Sequence, residues 1–406
     1  MRPFISSVLL AGSATALVQN MYTATGTAAV AAAAATAKSE SPTSHVKGKA
    51  FDRFVVIFLE NTDYSLAVND PNLAWVAKQG VLLEGYCATT HPSEPNYVAA
   101  VGGDNFGMQN DDFHQIDFNI STVVDLLEDK GISWGLYQED MPFSGYQGFD
   151  WINHKTGAND YVRKHNPAII YNSAGGEIDR LPLIKNLTMF YKDLEANRLP
   201  QWMFITPNMT NDGHDTSVTV AGAWTRSFLE PLLHDNRFMQ NTLVLVTFDE
   251  NETDTIQNNV YGVLLGDAVP KCHVGTTDKN YYNHYSQIAT VEANWNLHTL
   301  GRFDVGANVF KLVADRTKDV VRPWDGEVPL QDMFFNSSYA GVFNEEGGDN
   351  NARYPGPYLG PASHHGRTIL PKIRQAWKKN PAPVYYSDKV AIFDGQHPPR
   401  GFEPSS

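Results

Sequence analysis

Short runs of β-branched and aromatic residues recur along this chain, each followed by a stretch of helical character, and this alternation constrains the fold more than any other feature. Residues 54–59, 132–138, 202–206, 242–248 and 260–265 read as strands, and their near-continuous apolarity predicts burial on both faces of a sheet. Residues 72–78, 121–130, 183–197 and 220–234 read as the intervening helices, with Ser121 as an N-cap and Gly80 and Gly131 as stops. Strand and helix in turn imply an α/β fold with a largely parallel central sheet flanked by helices. That pattern covers a domain over 51–320. From Arg322 onward the texture becomes rich in Pro, Gly and Asn, which predicts an irregular C-terminal extension over 321–406.

With 406 residues, 42% of them hydrophobic and 12% aromatic, the chain can bury a large core, and general disorder is excluded. Acidic residues outnumber basic ones 45 to 31, a net charge of -14 that argues against a nucleic-acid footprint. An anionic substrate would require a local positive centre, either a metal ion or a few placed cations. Met1-Arg2-Pro3, an apolar run over 4–18 and Ala14-Thr15-Ala16 read as a secretory signal over 1–18, followed by an Ala/Ser-rich linker over 19–50. The run is short for a membrane span, so no stable membrane insertion is expected, and the last residues lack the hydrophobic tail of a lipid-anchor signal. A secreted protein, extracellular or associated with a cell wall, is the expectation. Five Asn-x-Ser/Thr sequons support it. Asn119, Asn186 and Asn336 are the glycan candidates, whereas Asn208 and Asn251 fall in loops expected to be buried. Cys87 and Cys272 are the only cysteines and could close one long loop in an oxidising compartment. Nothing in the sequence fixes an oligomeric state.

Ligands of open α/β sheets bind at the carboxyl ends of strands, so polar residues after the apolar runs are the candidates for chemistry. Glu60-Asn61 follows the first run, Asp212-Gly213-His214-Asp215 lies just beyond the third, Asp249-Glu250 ends the fourth, and His284 precedes a helix-like segment. Oxygen and imidazole donors without thiolate suit a hard or borderline divalent cation, and Mg, Ca, Mn, Fe and Zn all remain compatible. Each carboxylate alone reads equally as a cap or a surface charge. Adjacent Asp249 and Glu250 after an apolar strand are costly to bury without a cation. Ser93, in His91-Pro92-Ser93-Glu94-Pro95-Asn96-Tyr97, stands where a helix begins, so free N–H groups and the helix dipole would favour an anion there. An ordinary N-cap serine fits the same local pattern. Lys164-His165-Asn166-Pro167 reads either as a contact to phosphate or as a turn ending in Asn-Pro.

Taken together, Glu60-Asn61, the 91–97 stretch, Lys164-His165-Asn166-Pro167, the 206–215 stretch from Thr206 to Asp215, Thr247-Phe248-Asp249-Glu250 and His284-Tyr285-Ser286 resemble the phosphoesterase family, which holds fungal secreted acid phosphatases and bacterial phospholipases C within the alkaline phosphatase superfamily. The resemblance runs over about residues 53–310. It implies an alkaline-phosphatase-like fold and a metal-dependent acid phosphatase that hydrolyses small phosphate monoesters through a phosphoserine at Ser93. By the same resemblance Glu60, Asn61, Ser93, Asp212, Asp249 and Glu250 hold a divalent metal ion. Asn96, Lys164, His165 and Asn166 bind substrate, and His214 or His284, protonated at acidic pH, serves the leaving oxygen. Two-zinc alkaline phosphatases carry Asp in the first position and Asp-His later, where this chain has Glu-Asn and Asp-Glu. That departure is compatible with one metal, histidines taking over part of the second metal's charge. A phospholipase C or other phosphodiesterase using the same centre is the enzymatic alternative, and a non-catalytic glycosylated cell-wall protein the other. The Arg-His-Gly triplet of histidine phosphatases and the Gly-Asn-His-Glu pattern of dinuclear metallophosphatases are both absent.

Overall fold

The strand β1 (Arg53–Leu59) carries six buried residues in a row, and the computed structural model places it near the middle of an eight-stranded sheet. Residues 26–326, 328–344, 353–362, 366–378 and 382–392 are described; the expected signal over 1–18 lies outside them. The remaining strands are β2 (Gly80–Cys87), β3 (Trp134–Gln138), β4 (Asp150–Ile152), β5 (Asn159–Val162), β6 (Ile184–Asn186), β7 (Trp202–Thr206), β8 (Thr242–Phe248), β9 (Gly262–Leu265) and β10 (Thr276–Asn283). Their order across the sheet is β10-β2-β9-β8-β1-β7-β3-β6, with β4 and β5 forming a separate hairpin. Only β9 runs antiparallel to its neighbours; every other pair in the sheet is parallel. Seven carboxyl ends therefore open on one edge. Val55, Val56, Ile57, Phe58 and Leu59 are wholly buried, and each such side chain contributes about 1.5–3 kcal/mol relative to exposure. A central strand covered on both faces explains why β1, β7 and β8 were legible as apolar runs.

Several boundaries differ from the sequence reading. The stretch 183–197 is not one helix: β6 comes first and a helix over Thr188–Glu195 follows. Asn186 Oδ1 accepts the Thr188 N–H at 2.8 Å, an Asx turn that separates the two elements. Lys185 is tolerated in the buried strand because its Nζ meets Asp193 at 2.7 Å. The Val123–Asp129 helix is capped by Thr122 rather than Ser121, through a capping box with Asp125. Gly131 ends that helix at φ 69, whereas Gly80 opens β2. β2 and β10 escaped the reading. β10 is polar because it is the edge of the sheet, and only its last three residues are buried.

The C-terminal region packs on the sheet domain. Phe334 and Phe335 are buried, and the hydroxyls of Tyr339 and Tyr386 both donate to Asp104 Oδ2, at 2.7 and 2.5 Å. The end of the 19–50 stretch docks as well: Ser44 Oγ donates to Gln201 Oε1 at 2.6 Å and Asn294 Oδ1 accepts the Ala50 N–H. Cys87 is buried and Cys272 exposed, and both are free, so the long-loop disulfide is not formed; burial pushes the Cys87 thiol up to about 12. Among the sequons, Asn119 is exposed, whereas the side-chain amides of Asn186 and Asn336 donate to the carbonyls of Met141 and Asp254. Asn251 is buried, and the Asn208 amide donates to Asp140 Oδ2 at 2.7 Å. No described helix is long and apolar enough to cross a membrane.

Glu292 lies wholly buried on the helix His284–Trp295, and neither of its carboxylate oxygens meets an aligned donor. Burial first, then the charge of Asp304, raises its pKa well above 4.5, against the pull of Arg367. Asp304 is itself held by the N–H groups of Leu300 and Arg302. A group whose folded pKa is raised favours the fold below its unfolded pKa, and that contribution is lost as pH rises towards the folded value. Glu292→Gln is therefore expected to flatten the decline of Tm from about pH 4 to pH 8, measured by calorimetry. An unchanged slope would show that Glu292 is not its source.

Candidate active site

Leu59 of β1 pairs with Phe248 of β8, so the next residues, Glu60 and Asp249, leave two adjacent parallel strands side by side. The Asp249 N–H donates to the Leu59 carbonyl at 2.9 Å, and the Glu60 N–H donates to the Asp212 carbonyl at 3.0 Å. The loop after β7 thus returns over the end of β1, turning at Gly213 with φ 109, a conformation that favours glycine.

Ser93 is the first residue of the helix Ser93–Gly102, behind Pro92 at the N-cap. It does not serve as an N-cap. Its Oγ lies 3.0 Å from Glu60 Oε2 and 3.2 Å from Glu250 Oε1, with its one proton shared between them. Asn96, one turn on, accepts from Thr89 and Thr90 through Oδ1 and donates to the carbonyls of Thr90 and Pro92 and to Glu250 Oε2. Its amide is occupied in shaping the loop before Ser93 and in orienting Glu250.

Glu60, Asp212, Asp249 and Glu250 are all at most 2% exposed. Burial first, and then the charge of Glu60, pushes Asp249 and Glu250 well above the usual carboxylate range. Asp212 is raised by burial to about 6. Glu60 goes the other way: burial opposes its charge, but His165, then Lys164 and His214, hold it far below the usual range. The His165 imidazole is raised although burial disfavours its charge, because Glu60 and Asp212 flank it at 2.9 and 3.4 Å. Tyr97 stacks on His165 with ring centroids 4.9 Å apart and donates to Glu60 Oε1 at 2.8 Å.

Four carboxylates in so little space fit a cation better than they fit each other. Asn61 Oδ1, Asp212 Oδ2 and Asp249 Oδ2 are buried without an aligned hydrogen-bond donor, and such oxygen atoms are ligands for a divalent ion. Donor atoms of Glu60, His165 and Asp212 also lie within 4.8 Å of one another. The residues present are therefore compatible with a metal site.

The histidines divide. His284 is fully buried, with Nε2 2.5 Å from the Asp249 carbonyl and Nδ1 3.2 Å from the Tyr86 hydroxyl, and burial pulls it down to about 4. As a neutral ring it donates to that carbonyl, which ties it to Asp249. His214 stands at the mouth, its side chain 31% exposed, with Nδ1 2.8 Å from Asp215 Oδ1 and Nε2 3.5 Å from Lys164 Nζ. Lys164 donates to Asp111 Oδ2 at 2.8 Å, and Asp111 Oδ1 accepts the Glu94 N–H at 2.9 Å. Lys164 and His165 thus reach the cluster, whereas Asn166 is buried and donates to the Tyr161 hydroxyl at 3.1 Å. The turn reading also holds, since Arg163–His165 is a single tight turn and Pro167 opens the next helix. Tyr97 and Asp111 went unassigned in the sequence. Tyr97 was findable, being four residues after Ser93 on one helix face; Asp111 reaches the site only through tertiary packing.

The phosphoesterase family model matches residues 66–298. A probable acid phosphatase of Kluyveromyces lactis is 49% identical over 335 residues, 82% of this chain and 77% of that protein. A phosphate-repressible acid phosphatase of Penicillium chrysogenum is 52% identical over 306 residues, 75% of this chain and 73% of that protein. The solved structure of an alkaline phosphatase superfamily protein from Vibrio parahaemolyticus aligns over 70% of this chain and 74% of its own, at 14% identity and a TM-score of 0.39. With the family match spanning more than half of its length and relatives near 50% identity along most of it, the chain belongs to the phosphoesterase family.

Proposed function

We propose that this protein is a secreted, metal-dependent acid phosphatase that hydrolyses phosphate monoesters through a phosphoserine at Ser93. The observation that carries the proposal is the Ser93 hydroxyl, first in its helix and within 3.2 Å of two carboxylates of a buried acidic cluster. The names of the relatives support the acid phosphatase activity, and the leader-like pattern over 1–18 supports secretion.

Glu60, Asn61, Ser93, Asp212, Asp249 and Glu250 would hold one divalent cation, which when bound eases deprotonation of a hydroxyl and neutralises phosphoryl oxygens. Ser93 Oγ gives its proton towards the Glu250 carboxylate, 3.2 Å away, and attacks phosphorus; the Oγ–P bond forms as the ester P–O bond breaks. The helix dipole at Ser93 favours the phosphoryl charge, and Lys164 adds a cation beside it. A protonated His214 gives its proton to the departing oxygen. Neutral His214 then takes a proton from water, which attacks phosphorus and releases phosphate, and Ser93 recovers its proton. Lys164, held by Asp111, keeps its charge throughout.

Purified protein assayed from acidic to alkaline pH against an aryl phosphate monoester and the matching diester tests the reading. Monoester turnover is expected to dominate at acidic pH, to fall on chelation and to return with a divalent cation. Diester preference would move the protein to the phosphodiesterase class, and hydrolysis of neither substrate would overturn the proposal.

A further inference from the structure

Next to His214 and Asn61 the surface opens into a pocket of about 290 Å³ that the chemistry above does not use. It shares Asn61 and His214 with the candidate site. Asn61 Nδ2 is 3.3 Å from Glu250 Oε1, the oxygen that lies 3.2 Å from Ser93 Oγ, and His214 shares its wall. An ester with phosphorus at Ser93 and its bridging oxygen at His214 would extend its alcohol part into this space. The volume is near the lower end of small-molecule sites, which suits an alcohol no larger than a single sugar.

The lining states what kind of alcohol. Thr62, Thr216 and Ser217 bring hydroxyls, Leu66 and Val218 a small apolar surface, and Glu252 a carboxylate. Asp215, bonded to His214, is 42% exposed beside it. Beneath the rim, the carboxylate of Asp63 accepts the N–H groups of Glu252 and Thr253. No lysine or arginine is among the described lining residues. Lys164 does not line the pocket; it lies 3.5 Å from His214 Nε2 and is engaged by Asp111. The local field is thus negative outside the point where the phosphoryl group is held.

We infer that this pocket is the alcohol subsite, and that it selects monoesters of small, neutral or cationic alcohols over esters whose alcohol part carries a further negative charge. The inference rests on the phosphatase reading and names its substrate class. Like charges placed together penalise the wrong ligand more than the hydroxyls reward the right one.

The test compares kcat/KM for glycerol phosphate, phosphocholine and phosphoglycerate, with neutral, cationic and anionic alcohol parts, at about pH 6, where ordinary carboxylates are ionised. The first two are expected to exceed the third by roughly 10-fold at low ionic strength, with the gap shrinking as salt is added. Glu252→Lys is expected to narrow it by about 3- to 10-fold, and Glu252→Gln by about half of that on a logarithmic scale. Equal use of the three esters, or a ratio untouched by both variants, would overturn the subsite while leaving the phosphatase reading intact. Failure to hydrolyse any of them or the aryl monoester would overturn that reading and the subsite with it.

Discussion

Substitution of Ser93 by alanine is expected to lower kcat for phosphate monoesters by at least roughly 10⁴-fold, about 5 kcal/mol of transition-state stabilisation. The loss is large because no neighbouring hydroxyl can replace the nucleophile. The groups hydrogen-bonded to Ser93 Oγ are carboxylates, which accept its proton but compete poorly for phosphorus. Acid-quenched wild-type protein should show one added phosphoryl group by mass spectrometry, and the Ser93→Ala protein none. The fold should survive, since only one small side chain changes at the start of a helix whose Pro92 cap is untouched. Full turnover in a folded Ser93→Ala protein would remove the nucleophile assignment.

Asp249→Asn is expected to cost roughly 10³-fold in activity while making the chelated protein more stable. The two effects have one origin. Asp249 is buried beside Glu60 and Glu250, and although its Oδ1 accepts the Glu250 N–H its Oδ2 has no aligned donor, so without a cation burial and the two neighbouring carboxylates oppose its charge. Neutralising it relieves that repulsion. A rise in Tm of roughly 1–2 °C in chelator corresponds to about 1 kcal/mol for a chain of this size. With divalent cation present the order should reverse, because the wild-type protein gains binding energy that the variant has lost. Elemental analysis of both proteins, with scanning calorimetry in chelator and in cation, provides the measurement. Wild-type activity in Asp249→Asn, or a wild-type protein indifferent to chelation and free of bound metal, would defeat the metal assignment.

What was legible in the sequence was whatever depends on short-range pattern. β7 and β8 appear at the boundaries their apolar runs suggested, because a strand buried on both faces must be apolar at every position. The acidic residues at the ends of β1 and β8 were findable for the same reason: charge directly after such a run is conspicuous. Patterns that tertiary context overrides were misread. β10 looks polar because half of it faces solvent at the sheet edge, and β6 hid inside a helix-like period because Asn186 turns the chain after three residues.

The roles of like residues could not be separated without the fold. His165, His214 and His284 are chemically identical in the sequence. Packing sets His165 between Glu60 and Asp212, which raise its pKa, encloses His284 beneath Asp249, where burial lowers it to about 4, and leaves His214 near the surface beside Lys164. Likewise Cys87 and Cys272 could have paired on the sequence alone, but one is enclosed and the other lies at the surface. The sequence by itself determined the α/β architecture, the family and the set of residues able to do the chemistry, since periodicity and residue type are local properties. The tertiary structure alone decided that His284 is enclosed while His214 reaches the surface, that the Asn96 amide bonds the protein's own groups, and that Asp111 steadies Lys164. Desolvation and the distance between charges set these outcomes, and both exist only once distant segments of the chain are brought together.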